Sequence, residues 1–414
     1  MQVCSFMLLL VVALGQNARA QGAPSPGGIS LQEALASAER DNPEILAARK
    51  RWQALSHLVT PAAAPDKPRL DIEKMYAPPG KNLLTGADER SVAISQEIPF
   101  PSTLYLRHGV AAKQAAMAEQ SYRAKLREVL ARTRSAYAML YLAHKSLDIF
   151  NENIELMRRF SKVAESKYVA GHASQSDALK AQVELTKMLN MGVILAQDQQ
   201  TAAAMLNALM NRDADNPLGT PAEPAAPKLE EELASVQALA LGERPELKEA
   251  LLNVERAGKS LGLARSEYLP DFMLQYRQRA DPMRGASRDA MLGLSLPLWF
   301  WKPAALAAQA KAEREMAEAE LQGLRVTTSA EVKSAWVRTR TSRRLADIYR
   351  TSVLPQAEAA LKVAEAGYQA EKTSFLDLLD AQRSLLNFRL EYYQFLADYQ
   401  QRLAELERIV GRGL

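Results

Sequence analysis

Two aspartates, Asp377 and Asp380, are the side chains whose type and spacing most plainly suggest chemistry. Standing three apart, they share one face of a helix. Singly, each is a helix-start acid following Thr373 and Ser374, where the macrodipole favours negative charge. Gathered by rotational symmetry, they make a ring of carboxylates that attracts cations and resists closure unless paired or hydrated. Other reactive groups lead nowhere. The histidines His57, His108, His144 and His172 share no metal-ligand spacing, and His144 falls on an apolar stripe with Tyr137, Leu140 and Leu147, which marks a packing role. Gly258-Lys259-Ser260 imitates the end of a phosphate loop, but Asn253 stands where its first glycine is required and no strand precedes it. With no nucleophile–base pair and no cofactor fingerprint, neither an enzyme, a cofactor nor a bound metal is expected.

The elements that position these aspartates belong to an exported chain. Phe6 to Leu14 form a short apolar run followed by Ala18-Arg19-Ala20, a secretory signal over residues 1–20 with cleavage before Gln21, although no Lys or Arg precedes the run. The run is shorter than the ~20 residues of a spanning helix. Cys4, the single cysteine, precedes it, so no lipid attachment follows and the mature chain has no thiol. No other stretch approaches the ~18 consecutive apolar residues of a transmembrane helix, so any membrane crossing must be made by strands. With a net charge of +4 on 414 residues, nucleic acid is not implied. Only 19 Gly and 20 Pro in that length favour long helices.

The chain is duplicated. Residues 162–185 match residues 362–385 at 12 of 24 positions, including Tyr168 with Tyr368, Ser174 with Ser374 and Asp177 with Asp377. Upstream, Ser135-Ala136-Tyr137 resembles Ser334-Ala335-Trp336, and Asn42-Pro43-Glu44 resembles Arg244-Pro245-Glu246. The chain therefore divides into a first repeat, 21–210, a Pro-rich surface linker, 211–229, and a second repeat, 230–414. Each repeat reads as a helix (Leu31 to Leu58; Glu230 to Tyr268), two strands of period-2 alternation (Arg69 to Tyr76 and Ser91 to Ile98; Asp271 to Gln278 and Met291 to Leu296), a very long helix (Thr103 to Tyr168; Pro303 to Tyr368) and a returning helix. Loops from Pro78 to Gly86 and from Asp281 to Gly285 join the strand pairs. A helix of ~65 residues is close to 100 Å long and must pack on others of its kind.

The last helix carries a heptad stripe, Leu378, Gln382, Leu385, Arg389, Tyr392, Leu396, Tyr399, Leu403, Leu406 and Val410, with a second stripe through Leu379, Leu386 and Leu390 beside it. Two stripes suit a helix wedged between two neighbours. An isolated antiparallel coiled coil would need only one, and would not explain the strands. Four strands in lipid leave open edges, whereas three copies would close a ring of about twelve. Trp299-Phe300-Trp301 fits either an interfacial aromatic belt or core packing at a strand–helix corner.

Taken together, these features resemble the TolC family over nearly all of the mature chain. The most specific match is Gly367-Tyr368-Gln369-Ala370 leading into Leu376-Asp377-Leu378-Leu379-Asp380-Ala381. The resemblance implies a mainly α, two-repeat fold with a small transmembrane β part, assembled as a homotrimer with a periplasmic α-barrel and a 12-stranded β-barrel, four strands per chain. It implies an outer-membrane efflux conduit working with a periplasmic adaptor and a proton-driven inner-membrane pump. By the same resemblance Asp377 and Asp380 are the pore-gate carboxylates, six in the trimer, and Asp177 and Tyr368 help hold the mouth shut. The tips carrying Gly171, Ser174 and Ser374 meet the adaptor. The sequence departs from the family where an arginine is replaced by Thr373 and a glycine by Glu371, with Lys372 as a substitute cation. Gln96-Glu97-Ile98-Pro99-Phe100-Pro101 is most similar to members serving heavy-metal pumps. The competing reading is a periplasmic adaptor or coiled-coil scaffold, a class that normally has one hairpin rather than two.

Overall fold

Ser30 opens the first helix with a capping box: its hydroxyl accepts from the Glu33 N–H, and the Glu33 carboxylate accepts from the Ser30 N–H. The computed structural model describes residues 28–75, 89–225, 227, 229–281 and 285–414. The predicted signal peptide and the loop from Pro78 to Gly86 lie outside the described residues. In chain order the first repeat holds α1 (Leu31–Asp41), α2 (Pro43–His57), α3 (Val59–Ala62), β1 (Arg69–Met75), β2 (Glu89–Ile98), α4 (Pro101–Val169) and α5 (Gln175–Leu209). The second holds α6 (Leu233–Glu243), α7 (Pro245–Ser266), β3 (Asp271–Asp281), β4 (Gly285–Ser295), α8 (Trp301–Ile348), a π-helical turn (Tyr349–Val353), α9 (Leu354–Gln369) and α10 (Phe375–Val410).

The single opening helix expected in each repeat is two helices. Pro43 and Pro245 stand in the first turns of α2 and α7. A residue before proline is pushed out of the helical region, so Asn42 (ψ 126°) and Arg244 (ψ 120°) leave the helical conformation and break the helix. The second long helix is also not continuous. Tyr137 and Trp336 are separated by 199 residues, whereas Lys162 and Lys362 are separated by 200. The extra residue is absorbed by the π-turn between these positions, where α4 runs on without interruption for 69 residues.

The strands form one antiparallel sheet in the order β1-β2-β3-β4. Register puts Leu70, Ile94 and Tyr276 in one row, Ile72 with Val92 in another, and Leu274 opposite Leu292. Paired residues share a face, so one face is apolar, and these side chains are exposed on it. The opposite face carries Asp71, Arg277 and Asp289 in one row and Glu73, Ser91 and Arg279 in the next. Trp299, Phe300 and Trp301, just beyond β4, are exposed and not packed into a core at the corner.

Helices continue the sheet in the same order. Beside the sheet, α2, α4, α7 and α8 pack side by side; towards the far end, α5, α4, α10 and α9 do so. The heptad stripe of α10 is its buried side, with Leu378, Gln382, Leu385, Leu396, Tyr399, Leu403, Leu406 and Val410 all buried. The linker straps the layer near its middle. Tyr137 donates to the Ala222 carbonyl (2.7 Å), Gln400 to Ala225 (2.7 Å), Tyr399 to Pro227, and the Trp336 indole to Glu231 (3.1 Å). Tyr137 and Trp336 are repeat equivalents, so the same position of each repeat holds either the strap or, at Glu231, the residues that directly follow it.

Candidate gate at the hairpin tips

Each helical hairpin turns by the same backbone path. In the first tip α4 ends at Val169, Gly171 takes φ +78°, and the His172 N–H returns to the Lys167 carbonyl at 2.8 Å. Ser174 then caps α5, its hydroxyl accepting from the Asp177 N–H at 3.2 Å. In the second tip α9 ends at Gln369, the Lys372 N–H returns to the Gly367 carbonyl at 2.8 Å, and Ser374 caps α10. The left-handed position falls on Glu371, at φ +63°. A non-glycine residue there stores roughly 1 kcal/mol of strain.

Asp377 completes a capping box. Its carboxylate accepts from the Ser374 hydroxyl (2.7 Å) and N–H (3.0 Å), which hold it below the ordinary aspartate range. Within one chain it is thus a helix-start acid, and it is exposed and charged. Mutual repulsion in a symmetric ring would act in the opposite direction. Asp380, one turn on, is exposed and 3.7 Å from Arg383, whose guanidinium forks onto Glu184 of α5. Tyr368 is buried, its ring 5.4 Å from that of Phe375 and its hydroxyl without a partner in the chain. Burial, and then the charge of Asp177, push its phenol up. The structure therefore brings Asp177 and Tyr368 into one neighbourhood and sets Asp377 and Asp380 on the open surface of the same tip.

Residues that sequence reasoning missed hold the tips together. Lys167 reaches from the last turn of α4 to the Tyr368 carbonyl at 2.7 Å, and His172 lies 3.4 Å from Glu371. The one available signal was a misfit between repeats, where Glu371 occupies the place of Gly171. Elsewhere, His144 packs between the Leu140 carbonyl (3.0 Å) and Gln199 (2.7 Å), and Gly258-Lys259-Ser260 lies inside α7, where no phosphate loop can form. Among the described residues no cluster of three His, Cys, Asp or Glu could hold a metal ion. Nor is any described helix long and apolar enough to cross a membrane. The exposed apolar face belongs to the sheet, and a soluble scaffold would leave that face in water.

The profile of the outer membrane efflux protein family matches residues 34–212 and 236–412, one copy on each repeat. The chain is 24% identical over 397 residues to the cobalt-zinc-cadmium resistance protein CzcC of Cupriavidus metallidurans, covering 93% of this chain and 91% of that one. In fold it is similar to CusC, with a TM-score of 0.80 at 16% identity over 96% of both chains. It is also similar to VceC of Vibrio cholerae, with a TM-score of 0.77 at 17% identity over 92% of this chain and 96% of that one. The two-repeat architecture, the uncovered apolar sheet face and the two-part profile match agree: the chain belongs to the TolC-type outer membrane efflux protein family, and is a non-catalytic channel component of a tripartite efflux system, placed in the outer membrane and periplasm.

Proposed function

We propose that the chain is one protomer of a homotrimeric conduit whose periplasmic mouth is gated at the hairpin tips. The observation that carries this is the coincidence of open edges. β1 and β4 end the sheet on the same sides on which α2/α5 and α8/α9 end the helical layer. Lipid cannot satisfy a free strand edge. The outer helices also expose apolar residues along their length, among them Val183, Val193 and Ile194 on α5 and Met316, Val326 and Val363 on α8 and α9. One rotation that seats β1 on a neighbour's β4 covers both edges, and three copies supply about twelve strands, enough for a closed barrel. The decisive measurement is the native mass of the detergent-solubilised protein. A trimer is expected; a stable monomer overturns the reading.

In this assembly the two repeats have different parts. Asp377 and Asp380 form the carboxylate rings of the mouth, with Tyr368 and Asp177 packed behind them. Gly171, Ser174 and Ser374 lie on the turns that face the periplasmic adaptor, and an inner-membrane, proton-driven pump supplies the energy. Divalent heavy-metal cations are the cargo that the 24% identity to a cobalt-zinc-cadmium resistance protein favours. Deleting the gene should sensitise cells to those metals if this cargo is right.

A further inference from the structure

We propose that Lys167 is the latch between the two hairpin tips of each chain, and so a positioning residue for the mouth. The proposal rests on the tips being the constriction. Lys167 lies in the last turn of α4, and only 18% of its side chain is exposed. Its ammonium is 2.7 Å from the Tyr368 carbonyl, 3.4 Å from that of Gln369 and 4.7 Å above the Tyr368 ring. Those carbonyls close α9, where the macrodipole is negative, and that of Tyr368 accepts in addition from the Glu371 N–H at 3.3 Å. The Glu371 carboxylate, 4.0 Å away, adds a further negative group. A lysine on one hairpin thus caps the end of the other and packs on the tyrosine behind the carboxylate rings.

The contact runs one way only. The equivalent of Lys167 in the second repeat is Gly367, where a Cβ would come within 2.8 Å of the Thr373 side chain. The second tip therefore has no room for a reciprocal lysine. A second link between the hairpins, Arg383 to Glu184, lies further along α5 and α10. Moving the second tip away from the first strips the cation from two carbonyls, so Lys167 stabilises the arrangement in which the tips are joined.

Single-channel recording of Lys167→Met and Lys167→Arg trimers tests this. Met keeps the packing on Tyr368 and loses the donor; Arg keeps the donor. Met should shift the closed-to-open balance by at least about tenfold towards open, the lower bound for losing one charge-assisted hydrogen bond, and Arg should restore closure. In Lys167→Cys, aminoethylation of the thiol should reseal the same channels, since Cys4 lies in the predicted signal peptide. The double change Asp377→Ala with Asp380→Ala serves as the control for the gate itself. If that control alters cation block while Met behaves as wild type, or if confirmed aminoethylation leaves conductance unchanged, the latch is wrong and the gate stands. If neither the control nor Met has any effect, the mouth is not at the tips and the latch fails with it.

Discussion

Gln382 of α10 donates a 3.0 Å hydrogen bond to Asn153 of α4, and both side chains are buried. Asn153 in turn donates to the Ile149 carbonyl of its own helix at 2.8 Å. The pair joins the two repeats in the middle of an apolar seam, where one-turn slippage of α10 along α4 would otherwise cost little. A buried amide pair favours this register, which leaves one of its atoms, Gln382 Oε1, without a partner, because other alignments leave more of them unsatisfied. Gln382→Leu should destabilise the purified protein by about 1–3 kcal/mol, since Asn153 is then left without its donor. Replacing both residues by Leu should recover most of that loss. Thermal melting of the two singles and the double gives the coupling, and additive losses would show that the pair does not act as a unit.

Glu371 holds a backbone conformation that its repeat partner assigns to glycine. Its pairings with Lys167 and His172 involve an exposed carboxylate and contribute little. Glu371→Gly should therefore raise stability by about 1 kcal/mol. Gly171→Val should lower it by at least about as much. Equal melting temperatures for wild type and Glu371→Gly would mean that the pairs offset the strain.

The π-turn follows from one surplus residue combined with Pro355. Proline cannot supply the N–H of a regular helix at this point and clashes with the carbonyl four residues back. Tyr349 fastens the widened turn to α10 through a 2.6 Å hydrogen bond to Glu391 and edge contacts with Phe388 and Phe395. Deleting Ser352 together with Pro355→Ala should convert α8, the turn and α9 into one continuous helix like α4. The flanking phases are kept, so Leu361 and Tyr368 should stay buried. Loss of folding in this double variant would show that the turn is required for more than the surplus residue.

Local patterns made much of this fold legible. The ten-residue stripe from Leu378 to Val410 predicts the buried side of α10, and period-2 alternation finds the starts of β1 and β3. The first half of β4, Gly285 to Ala290, carries no alternation; it is a strand because β3 offers a ladder from Asp281 to Asp271. Lys167 was invisible for a different reason. Its partners lie about two hundred residues away, and they are backbone carbonyls, which no side-chain motif reports.

Glu184 and Arg383 form a further charged link between the hairpins, joining α5 to α10. The guanidinium holds the Glu184 carboxyl below the ordinary glutamate range, mainly by hydrogen bonding. A depressed folded pKa contributes stability at pH values above the unfolded one, and that contribution is lost as pH falls through the folded value. Glu184→Gln should thus melt below wild type at pH 7, and the gap should close below about pH 4. A gap that persists unchanged into acid would assign the loss to packing.

The two aspartates proposed as gate carboxylates join electrostatics to function. Six carboxylates at a narrow mouth would bind multivalent cations, which neutralise several at once, so such ions should block current in planar bilayers. The double change Asp377→Ala with Asp380→Ala should abolish that block and weaken cation preference, leaving assembly intact. The capping box adds a second readout. Ser374 supplies both hydrogen bonds that keep Asp377 ionised. Ser374→Ala removes the stronger of them, at a cost of about 1 kcal/mol of helix capping. Asp377 should then take up its proton at higher pH, and block should be lost at higher pH than in wild type. Identical pH midpoints for block in the two proteins would place the blocking charge elsewhere than Asp377. Retention of block by the double alanine variant would reduce both aspartates to helix-start acids.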